Sequence, residues 1–204
     1  EYYKNKNVKL VSDYSFNVTN HEAAGLLFAK GVDRITLSNE LNEERINDLI
    51  YKYKQTYNTN PNFELIVYGK AKIMHTLYCP LKRLGMCGEC KKNSYALKDN
   101  YETFPLLFND DCTVNLLNSR TLNLIDEIDR LDGINYFRLV FTNETLYFIR
   151  REVLDVLFNK IGVLVLHMPA TSIAPQKAVT ICPSSNVAST IKLLQTLTTL
   201  AGRS

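Results

Sequence analysis

The sequence predicts an α/β protein whose parallel sheet resembles half of a TIM-type barrel, with helices and a cysteine-rich insert, or otherwise an open α/β sheet. Strand-like and helix-like segments alternate over residues 8–160. Strands separated by helices of about ten or more residues pair in parallel through right-handed crossovers. Only about four such units fit in this chain, whereas a closed barrel of eight needs roughly 200–250 residues.

The predicted elements begin with a strand of mixed periodicity over residues 8–18. Asn20 is placed to cap a helix over residues 21–30, and Gly31 is placed to end that helix in the left-handed conformation. The following segments predict a short apolar strand, a helix with apolar residues at helical spacing, and a further strand, over residues 34–38, 40–57 and 63–69.

The second half of the alternation begins with two short strands, over residues 104–108 and 112–118. Ser119 is predicted to cap a helix over residues 119–133, because an apolar stripe follows it at Leu122, Ile125, Ile128 and Leu131. A strand over residues 136–142 and a helix over residues 145–160 complete the predicted elements.

The composition changes abruptly at residue 161, which divides the chain into residues 1–160 and an atypical tail, residues 161–204. All 21 acidic and all 21 aromatic residues precede the tail. Its segments 161–169 and 187–200 are typical of a buried strand and a helix. We expect a foreign or non-native extension and assign it no function; a small second domain, a junction and an out-of-frame translation are the alternatives. Because the chain begins at Glu1 without a methionine, we also expect it to be a piece of a longer protein.

Charge is concentrated around residues 70–98, where seven basic residues accompany a single acid, Glu89. Such a segment favours anions and predicts contact with RNA phosphate, although an ordinary solvated loop has the same composition. No apolar run is long enough to span a bilayer, so no membrane association is expected. The odd count of five cysteines in a chain of this length predicts a reducing, cytoplasmic setting.

Four of the cysteines, Cys79, Cys87, Cys90 and Cys112, lie within 34 residues, and Cys87 and Cys90 form a CxxC motif. Structural zinc sites usually combine two such motifs, or one motif with paired histidines, although three cysteines with His75 would also suffice. Irregular spacing of this kind favours a 4Fe–4S cluster, with zinc and unligated thiols as the alternatives. Cys182 lies in the tail and is interpreted as a bystander.

Several segments resemble, in order, the collagenase-like peptidase family U32. The resemblance covers residues of about 8 to 145, and it is carried by DYSFNVTNHEAAGLLFAKGVDRITLSNELN, ELIVYGKAKIMHTLYCP, CGEC, LKDNYETFPLLF, CTVNLLNS and INYFRLVFTNE. The resemblance implies a barrel-like domain whose first half would precede Glu1 and would be the partner of this chain. It stops near the change in composition.

The resemblance also implies a function and a ligand set. Members of the family were named as peptidases without an assigned catalytic type, and others act in oxygen-independent hydroxylation of RNA bases or of the ubiquinone ring with a 4Fe–4S cluster. Carried over to this chain, the cluster ligands are Cys79, Cys87, Cys90 and Cys112. Hydroxylation of an RNA base is the favoured function; proteolysis and a metal-stabilised binding module without enzymatic activity are the alternatives.

Residues that contact substrate are expected where barrel strands end in loops. By the predicted strand ends these positions are Asn17, Glu40, Tyr68 and Thr142, with Arg138 pointing inward from its strand. Each has a structural alternative as a turn, cap or core residue, and a structural role is also the simpler interpretation of His75. The sequence contains no HExxH motif and no spacing that commits a Ser-His-Asp set, so catalytic residues are not assigned.

Overall fold

The computed structural model describes residues 8–142 and the strand at 177–181. The strands are β1 (Val11–Ser12), β2 (Arg34–Thr36), β3 (Phe63–Gly69), β4 (Lys72–Thr76), β5 (Tyr95–Lys98), β6 (Thr103–Phe108), β7 (Val114–Leu117), β8 (Leu122–Asn123), β9 (Tyr136–Phe141) and β10 (Lys177–Ile181). The α-helices are α1 (His21–Ala29), α2 (Glu43–Tyr57) and α3 (Pro80–Arg83).

The larger sheet contains four parallel strands in the order β1-β2-β3-β9. β10 pairs antiparallel with β9, and β8 pairs antiparallel with the end of β3. The prediction of an α/β protein with parallel strands is therefore confirmed. The described residues form an open sheet and no closed barrel.

The two long helices form where the sequence predicts them. The Asn20 side chain accepts a hydrogen bond from the backbone N–H of Ala23 at 2.8 Å and caps α1, while Gly31 adopts φ 90° just beyond it. Asn42 caps α2 in the same way by accepting from Arg45 N–H at 3.0 Å. Because both helices are crossovers between parallel strands, they pack on the same face of the sheet.

The main hydrophobic core lies between this sheet and the two helices. Every residue of β3 is buried, and Phe63, Leu65 and Val67 belong to the core cluster. The Tyr53 ring of α2 lies 5.9 Å from the Phe63 ring in an edge-to-face arrangement. β3 is thus the central strand, with apolar side chains packed beneath the helices.

A second, antiparallel sheet lies between β3 and β8 in the sequence, with the strand order β4-β7-β6-β5. The predicted pair of short strands corresponds to β6 and β7, which pair antiparallel from Leu106↔Leu116 to Phe108↔Val114. β4 and β5 were not predicted. β4 is largely exposed, so its sequence lacks the apolar alternation that marks a half-buried strand.

Two predicted elements at the edges of the core are wrong. Residues 119–133 do not form an α-helix: Leu122–Asn123 pair with β3, and a 3-10 helix spans Ile125–Arg130. The apolar residues there repeat every three positions, which is the period of a 3-10 helix. In an α-helix, residues spaced by three shift progressively around the helix axis. The predicted strand over residues 8–18 is reduced to β1, because a 3-10 turn at Tyr14–Phe16 follows it.

The predicted helix over residues 145–160 lies outside the described residues. So do the predicted elements of the tail, in which the structure describes only the backbone of β10. Within the described part of the chain, no helix combines the length and the apolar character that a membrane crossing requires.

Gly69 ends β3 where the chain passes close to β9. It adopts φ 137°, and a Cβ atom placed on it would lie 2.4 Å from the carbonyl oxygen of Val140. We expect Gly69→Ala to lower the free energy of unfolding by about 3 kcal/mol, because it adds backbone strain to a steric overlap.

Gly85→Ala is the matched control, since Gly85 also has positive φ (71°) but has open space around the Cβ position. Its expected cost is about 1–2 kcal/mol. Urea denaturation of both variants measures the difference, and equal losses would contradict the proposed close approach.

Candidate functional site

A fully buried carboxylate, Glu64, lies in the middle of the parallel sheet on the face opposite the helices. The Thr36 hydroxyl donates to its Oε1 at 2.9 Å, and the guanidinium of Arg138 forms an ion pair with the same oxygen. Arg34 Nε lies 3.2 Å from Oε2, close enough for an ion pair, although its N–H is not directed at that oxygen. Such partners are what allow a carboxylate to be buried.

Arg138 extends this network across the sheet. Its Nη1 donates to Asp13 Oδ1 at 2.6 Å, and its Nη2 donates to Thr36 Oγ1 at 3.1 Å. Thr36 on β2 is paired with Glu64 on β3. Ile66, also on β3, is paired with Arg138 on β9. One guanidinium therefore connects β2, β3, β9 and the loop after β1.

A cleft of about 130 Å³ opens beside Arg138 at the carboxyl end of the parallel strands. Apolar side chains of Ile66, Leu122 and Val140 line part of it. The polar residues that line it are Asp13, Tyr14, Asn39, Lys70, Lys72, Arg138 and Thr142. Apolar walls with a few converging polar groups are typical of a small-molecule site.

Two polar side chains in the cleft have distinctive environments. Burial, together with the neighbouring Asp13 carboxylate, raises the pKa of Tyr14 above its ordinary value, with Arg138 acting in the opposite direction. The Tyr14 hydroxyl therefore stays protonated at neutral pH. The carboxamide oxygen of Asn39 is buried and has no hydrogen-bond partner within the described structure. A buried acceptor without a partner is uncommon in folded proteins.

The residues predicted to contact substrate occupy different environments. Arg138 and Thr142 line the cleft. Asn17 adopts φ 50°, and its Oδ1 accepts from the Ser38 hydroxyl at 2.6 Å. Glu40 is exposed, and its N–H donates to the Ser38 hydroxyl at 3.2 Å. Tyr68 packs in the core with its ring 5.5 Å from that of Phe141.

The position of Tyr68 follows from an irregularity in β3. Simple alternation would place Tyr68 on the same face as Glu64 and Ile66. The register with β9 shifts between Ile66 and Tyr68, so that Tyr68 is opposite Leu139, a fully buried core residue. This bulge directs Tyr68 toward the core.

Most polar residues of the cleft were not predicted, although they too lie where strands end in loops. Asp13 directly follows β1, Lys70 directly follows β3, and Asn39 lies three residues after β2. The predicted strands over residues 8–18 and 34–38 ended too late, which moved the expected positions to Asn17 and Glu40. Correct strand ends would have identified Asp13 and Asn39, whereas Lys70 was missed although the end of β3 was predicted correctly.

The four cysteines occupy loops at one end of the small sheet. Cys79 precedes α3 just after β4, and Cys112 lies in the turn between β6 and β7 with φ 64°. The pairing Thr76↔Val114 places these two loops at the same end. The N-terminus of β5 is at this end too, because Tyr95 pairs with Leu106 near the end of β6. The loop with Cys87 and Cys90 leads into it.

All four cysteines are free thiols, and Cys87 and Cys112 are exposed. Among the described residues, no group of three or more His, Cys, Asp or Glu side chains has the arrangement of a metal site. Nearby basic residues are partly paired: Lys91 lies 3.7 Å from Asp110, and Lys92 lies 2.9 Å from Glu89. The topology thus collects the loops without bringing the thiols into a coordination sphere.

A chain of side-chain hydrogen bonds supports the turn that carries Cys112. His75 Nδ1 lies 2.8 Å from Asn115 Oδ1, within hydrogen-bonding distance. Asn109 donates to the Thr113 hydroxyl at 2.7 Å, which donates to Asp111 at 2.6 Å. The Thr113 hydroxyl and N–H hold the pKa of Asp111 below its ordinary value. His75 therefore has a structural partner.

The fold and site describe a class of protein: an α/β sheet with a polar cleft at its strand ends, joined to a small antiparallel sheet whose loops carry four cysteines. The family model for peptidase family U32 matches residues 2–139, which is more than half of the chain. The chain belongs to this family. No curated protein and no solved structure matches the chain.

The ion pairs of Glu64 predict a large effect for an isosteric change. We expect Glu64→Gln to lower the free energy of unfolding by about 3 kcal/mol, because it removes the buried carboxylate beside Arg34 and leaves the largely buried guanidinium of Arg138 to the exposed Asp13 carboxylate. Chemical denaturation measures this loss.

Glu22→Gln is the control, because Glu22 is exposed in the first turn of α1 and its charge is worth at most about 1 kcal/mol there. A Glu64→Gln variant as stable as this control would show that the buried network does not hold the strands together.

Proposed function

We propose that this chain is the cluster-binding part of a U32-family enzyme that hydroxylates an RNA base without molecular oxygen. The observation that carries the proposal is the position of four free thiols in loops at one end of the small sheet. Cysteines 33 residues apart in the sequence, Cys79 and Cys112, are brought to the same end by the β4–β7 pairing.

The residues present fit a 4Fe–4S cluster by their chemistry. Four thiols are the usual ligand set of such a cluster, and the irregular spacing suits ligands supplied from loops. Thiolates are anionic, and Lys82 and Arg83 of α3 follow Cys79 closely and complement that charge. Cys79, Cys87, Cys90 and Cys112 would hold the cluster, which when bound supplies one-electron transfer.

Zinc is the alternative metal. Four cysteines with a single CxxC motif and irregular spacing favour it less than a 4Fe–4S cluster. The contact of His75 Nδ1 with Asn115 at 2.8 Å leaves Nε2 free, so a site of three cysteines and His75 is compatible with zinc. Zinc on all four cysteines remains compatible with the ligand types and is an outcome of the test below.

The strand order supports the proposal that the larger sheet is half of a barrel. β1, β2, β3 and β9 are parallel, and each pairs with the next one along the chain, as barrel strands do. The cleft lies at the carboxyl ends of these strands, where barrel enzymes carry out their chemistry. The first half of the barrel would then be supplied by residues that precede this chain.

In the proposed reaction, the protein's own residues bind and orient the RNA. Arg138 is held by Glu64 and Asp13 and so presents a fixed wall of the cleft. Lys70 and Lys72 lie at the cleft within the basic segment and would contact phosphate. Tyr14, protonated at neutral pH, can donate a hydrogen bond to a base.

Anaerobic purification of the chain tests the ligand set. We expect brown protein with about four irons per chain, and colourless protein after the double substitution Cys87→Ala and Cys90→Ala. Cys182→Ala is the matched control and is expected to retain the iron. Stoichiometric zinc in colourless protein would contradict the proposal.

Nucleoside mass spectrometry of RNA from cells that express the chain tests the activity. We expect a hydroxylated base whose amount falls to background in the double cysteine variant. Absence of the modified base would overturn the RNA assignment, and cleavage of peptides that survives the cysteine substitutions would favour proteolysis.

A further inference from the structure

We propose that the cleft beside Arg138 binds one unstacked nucleobase, with Tyr14 and Asn39 as its recognition residues and Lys70 and Lys72 as its phosphate contacts. This inference rests on the proposed function and deepens it, because it names the site at which the RNA base is held. Five properties of the cleft support it: its size, its apolar wall, its unsatisfied amide, its aromatic ring and its charge.

The part of the cleft that the described residues form has room for a single heteroaromatic ring system. Its volume is about 130 Å³, well below the roughly 300–1,000 Å³ of sites for drug-sized ligands. A folded peptide segment needs more room, whereas one base is small and planar. Ile66, Leu122 and Val140 provide an apolar wall for the faces of such a ring.

Asn39 supplies a group that can distinguish one base edge from another. Its carboxamide oxygen is buried and has no hydrogen-bond partner in the described residues, although the residue lines the cleft. A carboxamide offers a donor and an acceptor side by side, which is the pattern that base edges present. A base would satisfy this unpaired acceptor once the carboxamide turns toward the cleft.

Tyr14 supplies an aromatic ring at the same cleft. The residue lies in the 3-10 turn directly after β1 and is half-buried. Stacking on an aromatic side chain is the usual way in which proteins hold unstacked bases. Ring stacking and edge recognition thus come from two residues of different loops.

The charge at the cleft favours a ligand with phosphate. The positive charge of Arg138 is neutralised by Asp13 and Glu64. Lys70 and Lys72 form no ion pair with any described carboxylate, and Lys70 Nζ is held in place by the backbone oxygen of Ser119 at 2.8 Å. The two lysines therefore leave a local positive charge next to a pocket of ring size.

Isothermal titration calorimetry of the full 204-residue chain with the four ribonucleoside 5′-monophosphates tests the inference. Ribose 5-phosphate is the matched ligand without a base. We expect at least one nucleotide to bind about tenfold more tightly than ribose 5-phosphate. A single-stranded oligoribonucleotide should bind more tightly still and with a steeper dependence on salt, which distinguishes RNA from a free nucleotide as the ligand.

Substitutions separate recognition of the base from contact with phosphate. Asn39→Leu should reduce nucleotide binding to the level of ribose 5-phosphate, and the exposed Asn60→Leu should leave binding unchanged. Tyr14→Phe keeps the ring and should bind within about twofold of the original chain, whereas Tyr14→Leu should lose about tenfold. Lys72→Ala should weaken the nucleotide and ribose 5-phosphate by the same factor.

Two results would overturn the inference: nucleotides that bind no better than ribose 5-phosphate, or tight nucleotide binding that Asn39→Leu does not change. Circular dichroism of each variant identifies a loss of folding, and Tyr14→Phe provides a test that preserves packing. Iron content is measured on the same samples. If the protein holds iron but does not distinguish nucleotides from ribose 5-phosphate, the inference is refuted and the cluster proposal stands. If iron-free protein still recognises the base, only the cluster proposal is refuted.

Discussion

The buried carboxylate of Glu64 organises the parallel sheet. A charge at the centre of a sheet is unfavourable unless it is paired, so Arg34, Thr36 and Arg138 must surround it. Since these partners come from β2 and β9, the carboxylate links the strands on both sides of β3. Arg138 in turn pairs with Asp13, and this contact fixes one wall of the cleft at the strand ends. The interaction that holds the strands together therefore also shapes the candidate site.

The two sheets carry different chemistry. The parallel sheet ends in a cleft that combines an apolar wall with amide, phenol and ammonium groups. The small antiparallel sheet presents four thiols in loops at one end and supports the Cys112 turn through the buried Asn115. Antiparallel strands return the chain to the same end, so cysteines distant in sequence are collected there without a large domain. In the proposed enzyme the cleft holds the base and the thiols hold the cluster.

Much of the fold follows from local sequence signals, and the exceptions have physical causes. Asn20 predicts the start of α1 because its side chain satisfies a free N–H group, and the apolar run of β3 predicts a central strand. The segment after Ser119 was mistaken for an α-helix because a three-residue period also satisfies part of a helical pattern. For the site, Arg138 was predicted from its strand, but the bulge that removes Tyr68 from the cleft depends on pairing with β9. The Glu64 network likewise depends on strands that only the fold brings together.

We propose that the four thiols at one end of the small sheet ligate a single cluster. Iron K-edge X-ray absorption of the anaerobically purified chain tests it most directly, because scattering reports the atoms around the metal. We expect a first shell of sulfur and a second shell of iron at short distance, as in a 4Fe–4S cluster. A first shell of nitrogen and oxygen, or the absence of neighbouring iron atoms, would contradict the claim.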